Sequence, residues 1–126
     1  MSDKKKILVV DDEPDIVTWL TTIFEEGGYG TISAKSGAEG FAKAKAEKPD
    51  MITLDISMDD ESGLKALRNF QEAKETADIP IIIITGVSPE VKRFIDRNKK
   101  IELPASFMEK PVDREELLAK TKELIG

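Results

Sequence analysis

The sequence predicts an α/β fold, a three-layer αβα domain in which a five-stranded parallel sheet lies between two layers of helices. Short β-branched runs alternate five times with segments of helical periodicity, and such an alternation places parallel strands between helices. The runs ILVV and IIII are apolar at every position, as is typical of strands buried on both faces. We expect a single domain over residues 1–126, because this length suits one core.

Five segments have the composition of strands, rich in Ile, Val and Thr except for the weaker last one. They are Ile7–Val10, Thr31–Ala34, Met51–Leu54, Ile81–Ile84 and Ser106–Met108. We expect the sheet order 2-1-3-4-5, which is common among doubly wound folds and puts the second strand at an edge.

Five helices are predicted between and after the strands from the spacing of their apolar residues. In the first helix Pro14 suits the opening turn, and we expect Trp19 to lie in the core because it belongs to the apolar stripe. The stripe of the first helix consists of Ile16, Trp19, Leu20, Ile23 and Phe24. Similar stripes mark the third helix (Leu64, Leu67 and Phe70), the fourth (Val91, Phe94 and Ile95) and the fifth (Leu117, Leu118, Thr121, Leu124 and Ile125).

Capping residues predict where three of these helices begin. Ser36 and Glu39 have the spacing of a capping box at the start of the second helix. Ser88-Pro89 would open the fourth helix with a cap and a first-turn proline. Asp113 and Glu116 repeat the capping spacing at the start of the fifth helix. The glycines at 27, 28 and 30 follow a helix instead of a strand, which favours a helix C-cap and turn over a phosphate cradle.

The composition excludes several classes of function. The net charge is -6, which argues against direct binding of nucleic acid. The chain has no cysteine and no histidine, so thiolate chemistry and imidazole bases or ligands are excluded. The basic N-terminal run precedes only four apolar residues, too few for a signal peptide or a membrane span. We therefore expect a cytoplasmic protein.

Polar residues stand at the carboxyl ends of four predicted strands. The Asp-Asp-Glu run at 11–13 follows the first strand, Asp55 the third, Thr85 the fourth and Lys110 the fifth. Taken singly, each residue has an ordinary interpretation: the acidic run as helix N-terminal charge, Asp55 as a turn residue, Thr85 as a strand former and Lys110 as a loop lysine. Because parallel strands bring their carboxyl ends to one edge, where ligands bind, the functional interpretation is favoured.

The chemistry that fits this group is phosphoryl transfer to a carboxylate. Packed carboxylates repel one another, and a hard divalent cation with oxygen ligands would relieve that repulsion. Asp55 would attack the phosphorus, while Mg²⁺ would neutralise the phosphoryl oxygens. Lys110 would offer a point charge and Thr85 a hydroxyl hydrogen bond to the transferred group.

These motifs closely resemble the receiver domain of two-component response regulators, the CheY-like family with a flavodoxin-like fold. The matching residues are DDE at 11–13, DISM at 55–58 with Gly63 beyond, TG at 85–86 and EKP at 109–111, and the resemblance covers essentially the whole chain. The resemblance implies that Asp55 is the phosphoacceptor and that Mg²⁺ is held by Asp11, Asp12, Asp55 and the backbone carbonyl of Ser57. It also implies that Lys110 binds the phosphoryl group, and that Thr85 and Phe107 form a switch.

The resemblance also implies the partners. A sensor histidine kinase or a histidine phosphotransfer protein would supply the phosphoryl group from a phosphohistidine. A downstream effector would respond to a changed face formed by the fourth helix, fifth strand and fifth helix. The chain would be a monomer or a phosphorylation-dependent dimer, contact no nucleic acid or membrane, and not turn over an external substrate.

Two other functions are considered. A receiver-like module that binds partners without phosphorylation is disfavoured by the complete set of acids, Asp55, Thr85 and Lys110. A phosphatase of the haloacid-dehalogenase type carries Asp-x-Asp after its first strand, whereas here the nucleophile would follow the third strand, with Ser57 two residues beyond.

Overall fold

The computed structural model describes residues 4–55, 62–85, 106–110 and 112–126, without the side chains of residues 62–64, 85, 106, 107 and 109. The predicted fourth helix, from Ser88-Pro89, lies outside these residues. In chain order the elements are β1 (Lys6–Val10), α1 (Pro14–Glu26), β2 (Gly30–Ala34), α2 (Gly37–Glu47), β3 (Met51–Leu54), α3 (Ser62–Glu72), β4 (Ile81–Thr85), β5 (Ser106–Glu109) and the C-terminal helix (Arg114–Ile125).

The strands form one parallel sheet in the order β2-β1-β3-β4-β5, which is the predicted order. Val10 of β1 pairs with Leu54 of β3, so these two central strands end level with each other. The backbone N–H of Asp55 donates to Val10 O at 3.0 Å. The residues that directly follow β1 and β3 are therefore held side by side at the carboxyl edge of the sheet.

Each face of the sheet carries its own apolar cluster, which gives the predicted three layers. Alternate strand residues such as Leu8 and Leu54 pack with Phe70 of α3 on one face. Their neighbours, such as Val9, pack with Phe24 of α1 and with the C-terminal helix on the other face. Strands covered on both sides explain the apolar runs of the sequence. No helix among the described residues is long and apolar enough to cross a membrane.

The expectation that Trp19 lies in the core was wrong. Its side chain is 40% exposed, whereas Leu20, Ile23 and Phe24 of the same helix are buried. The buried face of α1 centres on those three residues, and Trp19 lies at the margin of the stripe. Helical spacing groups residues onto one side of a helix but does not fix which of them reach the sheet.

Helix ends follow the local rules that the sequence indicated. Ser36 Oγ accepts a hydrogen bond from Glu39 N at 3.1 Å, and Asp113 Oδ1 accepts one from Glu116 N at 3.0 Å. Glu39 Oε1 accepts from Lys35 N at 2.9 Å, one residue earlier than in a standard capping box. The glycine turn after α1 is also confirmed, because Gly28 adopts φ +96°, a conformation that favours glycine.

A close approach of α2 to β1 depends on Gly40. A Cβ atom added there would lie 2.8 Å from Val10 Cγ2, well inside a normal contact. The absence of a side chain at position 40 therefore lets α2 sit directly against the end of β1 that leads into Asp11.

Candidate functional site

The acidic residues after β1 and β3 meet at the carboxyl edge of the sheet, as predicted. Asp11 and Asp55 are almost fully buried, with 1% and 3% exposure, while Asp12 and Glu13 are exposed. One carboxylate oxygen from each of these four residues lies within 4.8 Å of those of the other three. The parallel register produces this cluster, because it places the first residues after two adjacent strands side by side.

Lys110, at the end of β5, brings a positive charge into the cluster. Its Nζ donates to Asp55 Oδ2 at 3.1 Å and to Asp11 Oδ2 at 3.2 Å, and lies 3.5 Å from Glu13 Oε1. The Lys110 side chain is 17% exposed. An ammonium shared by buried carboxylates is held by charge-assisted hydrogen bonds, so the aspartates and the lysine form one connected unit.

Asp11 combines a local role with this long-range contact. Its Oδ1 accepts a hydrogen bond from Glu13 N at 2.9 Å, which shapes the turn into α1. Its Oδ2 faces Lys110. Asp11 thus uses one carboxylate oxygen in the turn that leads into α1 and the other in the contact with Lys110.

The pKa values of one acid and of the base in the cluster, Asp11 and Lys110, are both raised. Burial raises the pKa of Asp11; the hydrogen bond from Glu13 N–H opposes this rise, and the nearby Asp55 charge adds to it. Burial by itself would lower the pKa of Lys110, but the hydrogen bond and charge of Asp55, together with Asp11, raise it overall. The Lys110 ammonium thus does not offset the full cost of ionising the buried Asp11 carboxylate.

The donor atoms of the cluster suit a hard cation. All four side chains offer carboxylate oxygens, the ligands that Mg²⁺ and Ca²⁺ prefer. The excess of negative charge around a single ammonium gives such a cation a favourable position. A pocket of about 180 Å³ beside the cluster, with Asp11, Asp12, Val17 and Lys35 in its wall, gives access from solvent.

The remaining predicted site residues are described in part or not at all. Thr85 ends β4, and its backbone pairs with Glu109, the residue before Lys110. The Phe107 backbone pairs with Ile83 on the same two strands. The side chains of Thr85 and Phe107 lie outside the description, and so does Ser57 altogether.

Glu13 is the site residue that the sequence analysis left without a role. It follows two aspartates that were assigned to the metal, and its position at the start of α1 fitted helix capping. In the described residues its side chain does not cap α1 but lies near Lys110. Lys110 is 97 positions away in the sequence, so only the three-dimensional fold reveals this contact.

Known proteins share this fold, and two of them are about a third identical to this chain in sequence. The family model of the response regulator receiver domain matches residues 7–122. Protein PilH of Pseudomonas aeruginosa is 35% identical over 113 residues, which covers 90% of this chain and 91% of PilH. The alkaline phosphatase synthesis transcriptional regulatory protein PhoP of Bacillus subtilis is 37% identical over 122 residues, 96% of this chain but 48% of PhoP. The chain therefore spans about half the length of that relative.

A solved structure gives the same result for the fold. The receiver domain of the sensor histidine kinase PA1611 of Pseudomonas aeruginosa matches with a TM-score of 0.85 and 24% identity over 98% of each chain. The family match over residues 7–122 and the PilH match over most of both chains agree with it. The chain belongs to the response regulator receiver domain family, the CheY-like phosphoacceptor domains of two-component signalling.

Proposed function

We propose that Asp55 accepts a phosphoryl group from a phosphohistidine on a sensor histidine kinase or a histidine phosphotransfer protein. The observation that carries this proposal is the contact of Lys110 Nζ with the buried Asp55 carboxylate, 3.1 Å away at the carboxyl edge of the sheet. The chain contains no histidine, so the donor imidazole lies outside residues 1–126.

The reaction requires few groups. A carboxylate oxygen of Asp55 attacks phosphorus, the P–N bond of the donor breaks, and its electron pair leaves with the imidazole. Lys110, already beside Asp55, stabilises the charge on the phosphoryl oxygens. The Thr85 hydroxyl hydrogen-bonds the group after it arrives. Asp55 accepts one phosphoryl group and passes on a signal, so the domain is not a turnover enzyme for an external substrate.

Mg²⁺ is the proposed cofactor. Asp11, Asp12 and Asp55, together with the backbone carbonyl of Ser57, would hold it, and the oxygen-only donor set of the described residues fits such an ion. Bound there, Mg²⁺ would supply positive charge to the transferred phosphoryl group. The PA1611 receiver domain carries a magnesium ion coordinated in its active-site cleft.

The proposed output begins at Thr85 and Phe107. Movement of Thr85 toward a phosphoryl group would open space into which the Phe107 ring turns. Burial of an aromatic ring contributes about 1.5–3 kcal/mol, enough to bias a two-state equilibrium strongly. A downstream effector would then bind the face formed by the predicted fourth helix, β5 and the C-terminal helix, to a monomer or to a phosphorylation-dependent dimer.

We further propose that residues 1–126 form one domain, and that the predicted fourth helix, which lies outside the described residues, brings the flavodoxin-like fold to five helices. We also propose a cytoplasmic location and no direct contact with nucleic acid or membrane. The net charge of -6 supports the absence of a nucleic-acid partner.

Phosphorylation with a small phosphodonor such as phosphoramidate, in the presence of Mg²⁺, tests the acceptor. Intact-mass measurement of the wild type should show one alkali-labile phosphoryl group, and Asp55→Asn should show none while keeping the fold. Asp78→Asn, which changes an exposed aspartate before β4, is the matched control and should be phosphorylated normally. Unchanged phosphorylation of Asp55→Asn would show that Asp55 is not the acceptor. A wild type that stays unmodified would favour the alternative function, an interaction module that works without phosphorylation.

A further inference from the structure

Lys110 and the proposed cation need the same oxygen atoms. In the structure Lys110 Nζ binds Asp11 Oδ2 and Asp55 Oδ2, and both carboxylates belong to the proposed metal site. A divalent cation that takes these oxygens would weaken both contacts of the ammonium. A lysine displaced toward solvent would no longer be beside Asp55 when the phosphoryl group arrives.

Glu13 offers the ammonium a third carboxylate. Its Oε1 lies 3.5 Å from Lys110 Nζ, and its side chain is 64% exposed, so it remains free to follow a small movement of the lysine. Its backbone is fixed at the same time, because Glu13 N–H donates to Asp11 Oδ1 at 2.9 Å. Glu13 thus combines an anchored main chain with a carboxylate on the solvent side of Lys110.

We propose that Glu13 is a positioning residue that keeps Lys110 at the site when a divalent cation takes over the Asp11 and Asp55 carboxylates. The inference rests on the proposed function, because it concerns the metal and the lysine of the same site. Because Glu13 remains a partner for Lys110, less free energy is lost when the cation displaces the ammonium from the Asp11 and Asp55 oxygens. Glu13 should therefore strengthen cation binding through Lys110, without contacting the ion.

A double-mutant cycle measures this indirect effect. The dissociation constant of Mg²⁺ is determined by amide NMR titration of the unphosphorylated protein for the wild type, Glu13→Gln, Lys110→Gln and the double variant. Glu13→Gln should weaken Mg²⁺ binding about two- to fivefold, the size expected for a largely exposed ion pair. In the Lys110→Gln background the same change should have almost no effect.

Two further variants separate reach from charge. Glu13→Asp keeps the charge but shortens the side chain by one methylene, so it should weaken Mg²⁺ binding nearly as much as Glu13→Gln. Asp15→Asn removes one exposed charge from the first turn of α1 and should change Mg²⁺ affinity little, with or without Lys110. The Glu13→Asp result does not depend on the folding of any Lys110 variant.

Several outcomes would overturn the inference. Equal weakening by Glu13→Gln with and without Lys110 would make Glu13 a direct ligand or a simple source of charge. Unchanged affinity in Glu13→Gln, or normal affinity in Glu13→Asp, would also contradict it. If the wild type binds no Mg²⁺, both the proposed metal site and this role of Glu13 are wrong. Phosphorylation of Asp55→Asn would instead contradict only the assignment of Asp55 as the acceptor, since the double-mutant cycle measures Mg²⁺ binding to unphosphorylated protein.

Discussion

Asp11 destabilises the metal-free fold in the ionised form that the proposed metal site needs. Its carboxyl group is buried, and its pKa is raised first by that burial and further by the Asp55 charge. A raised pKa means that ionisation is less favourable in the folded protein than in the unfolded chain. Ionised Asp11 therefore lowers the stability of the metal-free fold.

Asp11→Asn should raise the free energy of unfolding of the metal-free protein at neutral pH. The amide keeps the size of the side chain and its acceptor oxygen but needs no ionisation. The cost of ionised Asp11 is fully present above its folded-state pKa and is lost as the pH falls from there to the lower pKa of the unfolded chain, so the variant's advantage should shrink on acidification. Urea denaturation at neutral and mildly acidic pH measures it. A variant less stable than the wild type at neutral pH would mean that the Lys110 ion pair outweighs the cost of burial.

Thr53 is a second buried polar residue, and no hydrogen bond from the described part of the chain offsets the burial of its hydroxyl group. It is 1% exposed in the centre of β3, and its hydroxyl has no hydrogen-bond partner among the described residues. Thr53→Val should therefore stabilise the fold by about 1 kcal/mol, because valine has the same shape without an unsatisfied hydroxyl.

The matched control for Thr53 is Thr76, which is also 1% exposed. Its hydroxyl donates to Phe70 O at 2.6 Å, so Thr76→Val should destabilise the fold by about 1 kcal/mol. Chemical denaturation of both variants gives the comparison. A loss of stability in Thr53→Val, as in Thr76→Val, would show that the Thr53 hydroxyl is satisfied in solution.

Among the elements, α2 depends on Ser36, the capping residue directly before it. Ser36 Oγ accepts from Glu39 N at 3.1 Å and satisfies a backbone donor at the start of the helix. Ser36→Ala should cost about 1 kcal/mol of stability, and Ser36→Asn, which keeps an acceptor, should cost much less. Thermal or urea unfolding of the two variants measures the difference. Equal stability of all three proteins would mean that the cap contributes nothing.

The elements also show which structural features a sequence can predict. The Ser36 and Asp113 caps were predictable because each joins residues three positions apart. The meeting of Asp11 and Asp55 was predictable because parallel strands align their carboxyl ends. The exposure of Trp19 was not, since helical periodicity does not measure how closely α1 approaches the sheet. The contact of Glu13 with Lys110 depends on the conformation of two long side chains, for which the sequence has no pattern.

At the scale of the whole molecule, the proposed cation site would couple cation binding to folding. A cation that binds only the folded protein stabilises it by mass action, and we expect about 1–3 kcal/mol at saturating Mg²⁺. Asp12→Ala should remove most of this gain and raise the stability of the metal-free protein by relieving repulsion. Thermal melts with and without Mg²⁺ measure both effects, with Asp78→Asn as the charge control. A wild-type melting temperature independent of Mg²⁺ would contradict a specific site.

The contact between Gly40 and Val10 has a consequence for evolution. A β-carbon at position 40 would lie 2.8 Å from Val10 Cγ2, and β1 leads directly from Val10 into the acid cluster. A lineage that gains alanine at position 40 would have to push α2 outward or lose volume at position 10. The two positions should therefore covary among descendants of this sequence, with a larger residue at one site accompanied by a smaller residue at the other.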